Sequence, residues 1–356
     1  VLGVRKNIDN GAEDNRVTLL DTQYRMNENI GKMVSNFCYD GKLQTDPFSS
    51  AQQEYLAKLP PHEHSAVVLI DSQKTFPASF KEKRKGSHSR VNPLHALLIC
   101  SVADSMLKSG ANKVAVITPY AAHARLLHGM IKSLNMNEQV ITATIHRFQG
   151  SEVDSVIFDL VDALPLSGAS RLTGSDVDRS TRLLNVAISR SKGKLVVLAD
   201  KSFVDIHHGG RSPAARLTKM STNKVCFTEL LKSCQLDSIQ WCTSWTAAQI
   251  ALHSTVSIAK KIRINIPRNF EQSSQFRRAL EAFDEGLKNR KKFESFFYLI
   301  TEGTLAVGGR EPEGAIAIVS GGLKDELERA IIGEYSLNEW RFRNAPTRDH
   351  GISHPR

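Results

Sequence analysis

No run of about 18 apolar residues occurs anywhere in the 356-residue chain, so the sequence holds no helical membrane span. The first residues also lack the basic, apolar and small-residue succession of a signal peptide. Cysteine is scarce. The five that occur (Cys38, Cys100, Cys226, Cys234 and Cys242) are odd in number and form no CxxC pair. That argues against a disulfide framework and for reduced thiols in a cytoplasmic protein, with the nucleus open if the source is eukaryotic. Cys226, Cys234 and Cys242 are evenly spaced but have no close histidine, and they do not match zinc-ligand spacings. His207-His208 lacks a second ligand pair, so no metal site is expected.

Positive charge is plentiful by contrast. There are 47 basic against 37 acidic side chains, a net +10, which favours a polyanionic partner without identifying it. The hydrophobic content of 41% and the chain length exceed what one core requires, so two or more domains are expected.

The hydrophobic pattern gives an α/β order. Val17 to Leu20 predicts a short strand before Gln23-Tyr24-Arg25-Met26. Ile30, Met33, Val34 and Phe37 then recur at helical spacing, and Tyr39-Asp40-Gly41-Lys42-Leu43 ends that helix. Residues 44–66, with Pro47, Pro60 and Pro61, read as a loop, and residues 66–70 as a buried strand. The basic stretch 74–90 (Lys81, Lys83, Arg84, Lys85) reads either as a mobile arm touching phosphates or as a solvated face. An amphipathic helix over 92–107, a strand over 113–118 and a helix over 121–134 follow.

Val140, Ile141 and Ala143 predict a buried strand, Gln149-Gly150 a turn, and Val156-Ile157-Phe158 a return to β structure. Polar residues thereby gather at a strand end, where open α/β sheets bind ligands. Thr144 offers a hydroxyl there that suits a phosphate. After a turn-rich loop over 163–180, Leu183, Leu184, Ala187 and Ile188 fall at helical spacing, Arg190 stands near that helix's end, and residues 194–199 read as the next strand. Gly31-Lys32, Gly41-Lys42 and Gly193-Lys194 each lack the earlier glycine that a phosphate-cradling GxxxxGK[ST] loop needs.

Four ordered blocks belong together: Gln23-Tyr24-Arg25-Met26, Thr118-Pro119-Tyr120, Thr144 to Asp154, and Arg182 to Lys192. They resemble the second RecA-like domain of superfamily 1 helicases, in the branch of the nonsense-mediated-decay RNA helicase and its relatives. The resemblance implies a RecA-like parallel-sheet domain over 1–202, a linker over 203–222, a smaller appended α/β domain over 223–340 and a polar tail over 341–356.

It also implies roles for single residues. Arg190 and Arg25 become catalytic groups that reach the γ-phosphate, and Tyr24 packs near the adenine. Glu152 lies on the ribose side, and Gln149 and Gly150 link nucleotide state to strand grip. Thr118, Tyr120 and Thr144 face the nucleic-acid backbone. Read from the residues alone, Tyr24 and Arg25 could equally be a packing tyrosine and a surface arginine. His95, His123 and His146 depart from the family pattern, which often has an acid, glutamine and aspartate there.

ATP and Mg2+ are the implied cofactors and single-stranded DNA or RNA the implied partner. The Mg2+ ligands and phosphate loop are expected on a first RecA-like domain preceding Val1, so this chain alone is expected to be inactive. The order of elements over 223–340 faintly resembles a phospholipase D-like half domain. The HxK motif of such enzymes has no counterpart at Lys292-Phe293-Glu294-Ser295, so a catalytically inactive domain for a protein partner or self-association is expected. The function implied is the C-terminal portion of an ATP-dependent helicase or translocase. The alternative is a non-enzymatic nucleotide-sensing scaffold.

Overall fold

A computed structural model describes residues 20–73, 79–82, 85–148, 152–163, 172, 177–221, 223–225, 230, 233–242, 260–263, 296–301 and 315–328. In chain order the elements are β1 (Thr22–Gln23), α1 (Glu28–Cys38), β2 (Gln44–Thr45), α2 (Pro47–Gln52), α3 (Glu54–Ala57), β3 (Val67–Asp71), β4 (Phe80–Lys81), β5 (Arg90–Val91), α4 (Pro93–Lys108), β6 (Val114–Thr118), α5 (Ala121–Ser133) and β7 (Val140–Thr144). A 3-10 turn (Ile145–Phe148) leads on to β8 (Val153–Asp159), α6 (Val177–Ile188), β9 (Ser191–Ala199), α7 (Lys201–Phe203), a π turn (Val204–His208), α8 (Pro213–Met220) and β10 (Asn223–Val225). The last described elements are β11 (Ile239–Cys242), β12 (Lys260–Arg263), β13 (Phe296–Thr301), β14 (Ala315–Ser320) and α9 (Gly321–Glu328).

Six strands pair in the order β10-β3-β9-β8-β6-β7, every pair parallel. A parallel sheet is covered on both faces, which is why its central strands read as nearly unbroken apolar runs. Alternate residues serve opposite layers. Val68, Ile70, Val114, Val116, Ile157 and Val196 join a core under α4 and α5. Val67, Leu69, Ala115, Ile117, Val156 and Val197 join another under α1, α6 and α8. This is the α/β, RecA-like sheet that the sequence predicts.

Several boundaries differ from expectation. Residues 44–66 are not a plain loop: β2 pairs with β1, and Asp46 caps α2 by accepting from Ser49 N at 2.8 Å. A side chain at Gly193 would meet Leu56 and the Gln53 carbonyl oxygen at 2.7 Å, so glycine lets this segment lie on β9. The neighbouring Lys194 is buried, and its ammonium donates to the carbonyls of Ala57, His62 and Ser65 at 3.0, 2.8 and 2.7 Å. Burial pulls that amine down to about 7, and Glu63 opposes the shift.

Helix α4 is buried around most of its circumference rather than along one stripe. β7 is an edge strand with Ile141 36% exposed, because the chain leaves β7 and crosses β6 to form β8 in the interior. Within 74–90, β4 and β5 form a short antiparallel pair, while Lys83 and Arg84 lie outside the described residues. The strand expected over Val17 to Leu20 also falls outside, except for Leu20, which is exposed.

Of the stretch 203–222, expected as a linker, the described residues 203–221 are structured. Asp200 caps α7, Ser212 caps α8, and Phe203, Val204, Ala214, Ala215 and Leu217 are buried. β10 then extends the main sheet, so that sheet runs past residue 202. In the C-terminal part, β11-β14-β13-β12 form a mixed sheet, with β12 parallel to β13 and the other pairs antiparallel. β13 pairs with β14, whereas the expected hairpin partner over 304–307 lies outside the described residues, as do Lys292 to Ser295. α9 packs on α5, with Gly322 against Ser133 and Glu326 over Gly129, and Val319, Leu323 and Leu327 enter the α4–α5 core.

Candidate nucleotide site and strand face

The N-terminal ends of β8 and β9 lie side by side, held where Val153 N donates to the Arg190 carbonyl at 3.3 Å. This sets Glu152, which precedes β8, beside Arg190, which precedes β9. Arg25 comes from the turn between β1 and α1. There Gln23 Oε1 accepts from Arg25 N and Met26 N at 2.9 and 2.7 Å, and Asn27 N donates to the Lys192 carbonyl at 2.6 Å. The same Asn27 caps α1 by accepting from Asn29 N at 3.0 Å, so one residue starts the helix and fixes it to β9.

Arg25 Nε and a terminal nitrogen lie 2.8 and 2.7 Å from Glu152 Oε1, and its other terminal nitrogen donates to the Ser189 carbonyl at 3.1 Å. Arg190 is half-buried, and its Nε has no hydrogen-bond partner among the described residues. Burial and then the Arg25 guanidinium lower the proton affinity of Arg190, with Glu152 opposing them. Tyr24, 68% exposed, stands beside this group.

Arg25, Glu152 and Arg190 therefore converge, with Tyr24 adjoining Arg25 in the chain, while Gln149 and Gly150 lie outside the described residues. They gather at the N-terminal edge of the sheet, opposite to the strand ends where ligands were expected. The reason is topological: the polar segment after β7 runs back down the sheet before β8 begins.

The C-terminal edge carries the other candidates. Thr144 and Thr118 are register partners at the ends of β7 and β6. Thr144 is half-buried, but Thr118 and Tyr120 are 0% and 1% exposed, so their side chains do not face a strand. Tyr120 instead donates its hydroxyl to Asp162 Oδ1 at 2.7 Å, and Arg90 donates to the same oxygen at 2.8 Å. A buried carboxylate needs such donors, and it takes them from these two residues.

Asp162 belongs to a buried polar network absent from the sequence reading. Asp159 Oδ1 faces His95 Nδ1 at 2.7 Å and accepts from Val161 N at 2.8 Å, and Asp159 Oδ2 lies 2.7 Å from His123 Nε2. Burial opposes the charge on Asp159, but His95 and His123 outweigh it and hold the carboxyl well below the usual carboxylate range. His95 Nε2 contacts Ser72 Oγ at 2.8 Å, which completes a serine, histidine and acid chain. Those side chains are fully enclosed, so the hydroxyl has no route to a substrate and the chain is structural. Val161 takes a left-handed backbone (φ 67°), a conformation costing about 1–3 kcal/mol. Its N–H bond to Asp159 and its carbonyl bonds from Ser79 and Asn92 hold it there. The usable signal was the pair of acids ending the apolar run Val156 to Asp162, read together with the two histidine departures.

Asp200, just after β9, adds a pH-sensitive group. Burial pushes its carboxyl up to about 6; Asp71 adds to this, while the Phe203 N–H bond and His95 oppose it. The folded chain then binds this proton more tightly than the unfolded chain, so the group's contribution to stability falls as pH rises from about 4 through 6. Asp200→Asn keeps an acceptor for Phe203 N. It is expected to raise unfolding stability at pH 8 by on the order of 1 kcal/mol, with little change at pH 4. Urea unfolding at both pH values checks this, and equal effects at the two would contradict it.

Residues 5–202 match the family model described as "AAA domain", more than half of the chain. The chain belongs to this family. Its members form the C-terminal RecA-like domain of superfamily 1 helicases in the branch of the nonsense-mediated-decay helicase. An uncharacterized ATP-dependent helicase of Methanocaldococcus jannaschii is 28% identical over 193 residues, covering 52% of this chain and 27% of that protein. The DNA polymerase alpha-associated DNA helicase A of Schizosaccharomyces pombe is 29% identical over 195 residues, 52% of this chain and 28% of that protein. The DNA replication ATP-dependent helicase/nuclease of the same yeast is 27% identical over 206 residues, 52% of this chain and 14% of its own length. The chain thus spans about a quarter or less of the length of these helicases. No helix among the described residues is long and apolar enough to cross a membrane.

Proposed function

We propose that this chain supplies one wall of an ATP-hydrolysing cleft in a helicase or translocase acting on single-stranded DNA or RNA. The observation that carries the reading is Arg190, a half-buried guanidinium whose Nε has no partner among the described residues, beside the Arg25–Glu152 pair. Two guanidinium groups and an exposed tyrosine on one sheet edge fit a nucleoside triphosphate, with the tyrosine against the base and the arginines toward the phosphates. ATP, when bound, supplies the phosphoryl group to be transferred. Arg190 and Arg25 stabilise the negative charge that develops on it, and Glu152 holds Arg25 in place until the facing domain closes. No group of three or more His, Cys, Asp or Glu side chains suited to a metal occurs among the described residues. By the family resemblance, the Mg2+ ligands are proposed to lie on that facing RecA-like domain.

Thr144 ends β7 and Glu152 precedes β8, so one short connection of eight residues links the candidate strand contact to the nucleotide edge and is the proposed route of coupling between them. The C-terminal α/β unit takes a binding role, through a protein partner or self-association.

The test is ATP turnover by this chain joined to a RecA-like domain that carries the phosphate loop, with and without single-stranded DNA or RNA. Strand-stimulated turnover is the expected result, and the better strand identifies the preferred nucleic acid. Absence of turnover on either strand would replace the motor with a nucleotide-sensing scaffold.

A further inference from the structure

A cleft opens between the 3-10 turn after β7 and the first half of α6, lined by Ile145, His146, Arg179, Arg182, Leu183 and Val186. It is separate from the arginine pair at the nucleotide edge. Arg182 precedes Arg190 by eight positions, about 12 Å of helical rise, and lies toward the end of the sheet that holds Thr144. His146, Arg179 and Arg182 are exposed, while Leu183 and Val186 are half-buried and Ile145 is buried. Arg182 Nε donates to the Asp178 carbonyl at 3.3 Å, which lays the side chain back along α6, and Arg182 makes no ion pair among the described residues. The result is an aliphatic floor with cations on its rim, one residue beyond Thr144.

Neither half of that surface suits a protein core or a metal. Two guanidinium groups repel a metal ion, and an aliphatic floor gains nothing from a bare anion. A nucleotide unit satisfies both, because its phosphate meets guanidinium groups and its base has an apolar face that rests on aliphatic and imidazole surface. We propose that this cleft holds one nucleotide of a single strand, with its phosphates on Arg179 and Arg182 and its base over Leu183, Val186 and His146. The site rests on the strand-binding half of the reading above and names residues that this reading did not use. It also gives Thr144 a neighbour: a phosphate at the β7 end and the next at the Arg182 rim lie along one path.

The test is fluorescence anisotropy of fluorescein-labelled 15-nucleotide oligo-dT and oligo-U with the 356-residue chain, wild type against Arg179→Glu/Arg182→Glu. Affinity is expected to fall roughly tenfold or more, and the slope of log affinity against log salt to shrink by about two. Arg182→Lys, which keeps the charge and tolerates the same exposed position, is expected to recover most of the binding. Circular dichroism melting of each variant confirms that it is folded. A double variant with wild-type affinity and salt slope overturns the inference and leaves the nucleotide edge untouched, since turnover reads that edge independently. Absence of oligonucleotide binding by the wild type overturns it too, while ATP turnover still decides the motor. Competition by millimolar AMP that displaces the wild-type oligonucleotide would convert the cleft into a free-mononucleotide site and overturn the strand assignment. Persistence of oligonucleotide binding under AMP supports it.

Discussion

Arg190→Ala is expected to lower strand-stimulated ATP turnover by about 10³-fold or more, while ATP affinity changes by less than about tenfold. A cation that meets charge developing in the transition state contributes on the order of 10³ to 10⁵ in rate for phosphoryl transfer, and far less to the ground state. Arg190 has the features of such a group: a half-buried position, an Nε without a partner among the described residues, and a start-of-strand location fixed by the Val153 bond. Arg190→Lys is expected to recover only a small part of the rate, because an ammonium cannot present two parallel donors to phosphate oxygens. Turnover and nucleotide binding measured on the joined protein decide the matter. Retained turnover in Arg190→Ala would remove this residue from the reaction and leave Arg25 as the candidate.

The two arginines explain one another. Two guanidinium groups at a half-buried edge repel, and burial followed by the Arg25 guanidinium lowers the affinity of Arg190 for its proton. Glu152 offsets this by binding Arg25, which is held at two points and so is already directed along the edge. A triphosphate arriving between them replaces an internal counter-charge with its own. The edge therefore stores an electrostatic preference for a polyanion without needing a preformed pocket, which fits the proposal that the facing wall is supplied by another domain.

The apolar strand runs and the helical periodicity of α1 and α6 were legible in the sequence because they are local. The grouping of Arg25, Glu152 and Arg190 was legible only through the motif resemblance, since residues so far apart in sequence meet by strand order. The edge on which they meet was misjudged for the same reason: periodicity says that β7 and β8 are strands, but not that the chain crosses β6 between them. Residues 203–222 look like a linker because Gly209-Gly210 and Pro213 dominate their composition, yet Ser212 caps α8 and the apolar side of α8 completes the core. Tyr120 illustrates the limit most directly. Its motif suggested an outward contact, whereas the buried acid Asp162 forty-two positions later claims its hydroxyl.

Asp159→Asn is expected to lower unfolding stability by about 3–5 kcal/mol, the usual cost of removing one charge from a buried ionic group. The argument turns on proton positions. His123 Nδ1 accepts from Asn92 N at 3.3 Å, so its ring proton sits on Nε2, which lies 2.7 Å from Asp159 Oδ2. His95 Nδ1 and Val161 N address the other oxygen. A carboxylate accepts from all of these, but an asparagine must turn its NH2 toward at least one N–H donor, leaving buried donors opposed and unsatisfied. The released contacts also tie together the ends of β3, β5 and β8 through Ser72, Asn92 and Val161, so the left-handed turn at Val161 loses one of its supports. His123→Gln provides the contrast: its amide can still donate to Asp159, and the loss is expected near 1 kcal/mol. The folded carboxyl titrates below its unfolded value, so its contribution is present above about pH 4 and is lost as pH falls through the folded value. Asp159→Asn should therefore flatten the acid side of the stability profile as well as lower its plateau. Urea unfolding from pH 3 to 8 measures both. A variant within about 1 kcal/mol of wild type at pH 7 would mean that apolar packing alone holds the C-terminal edge, and that the two histidines do not secure it.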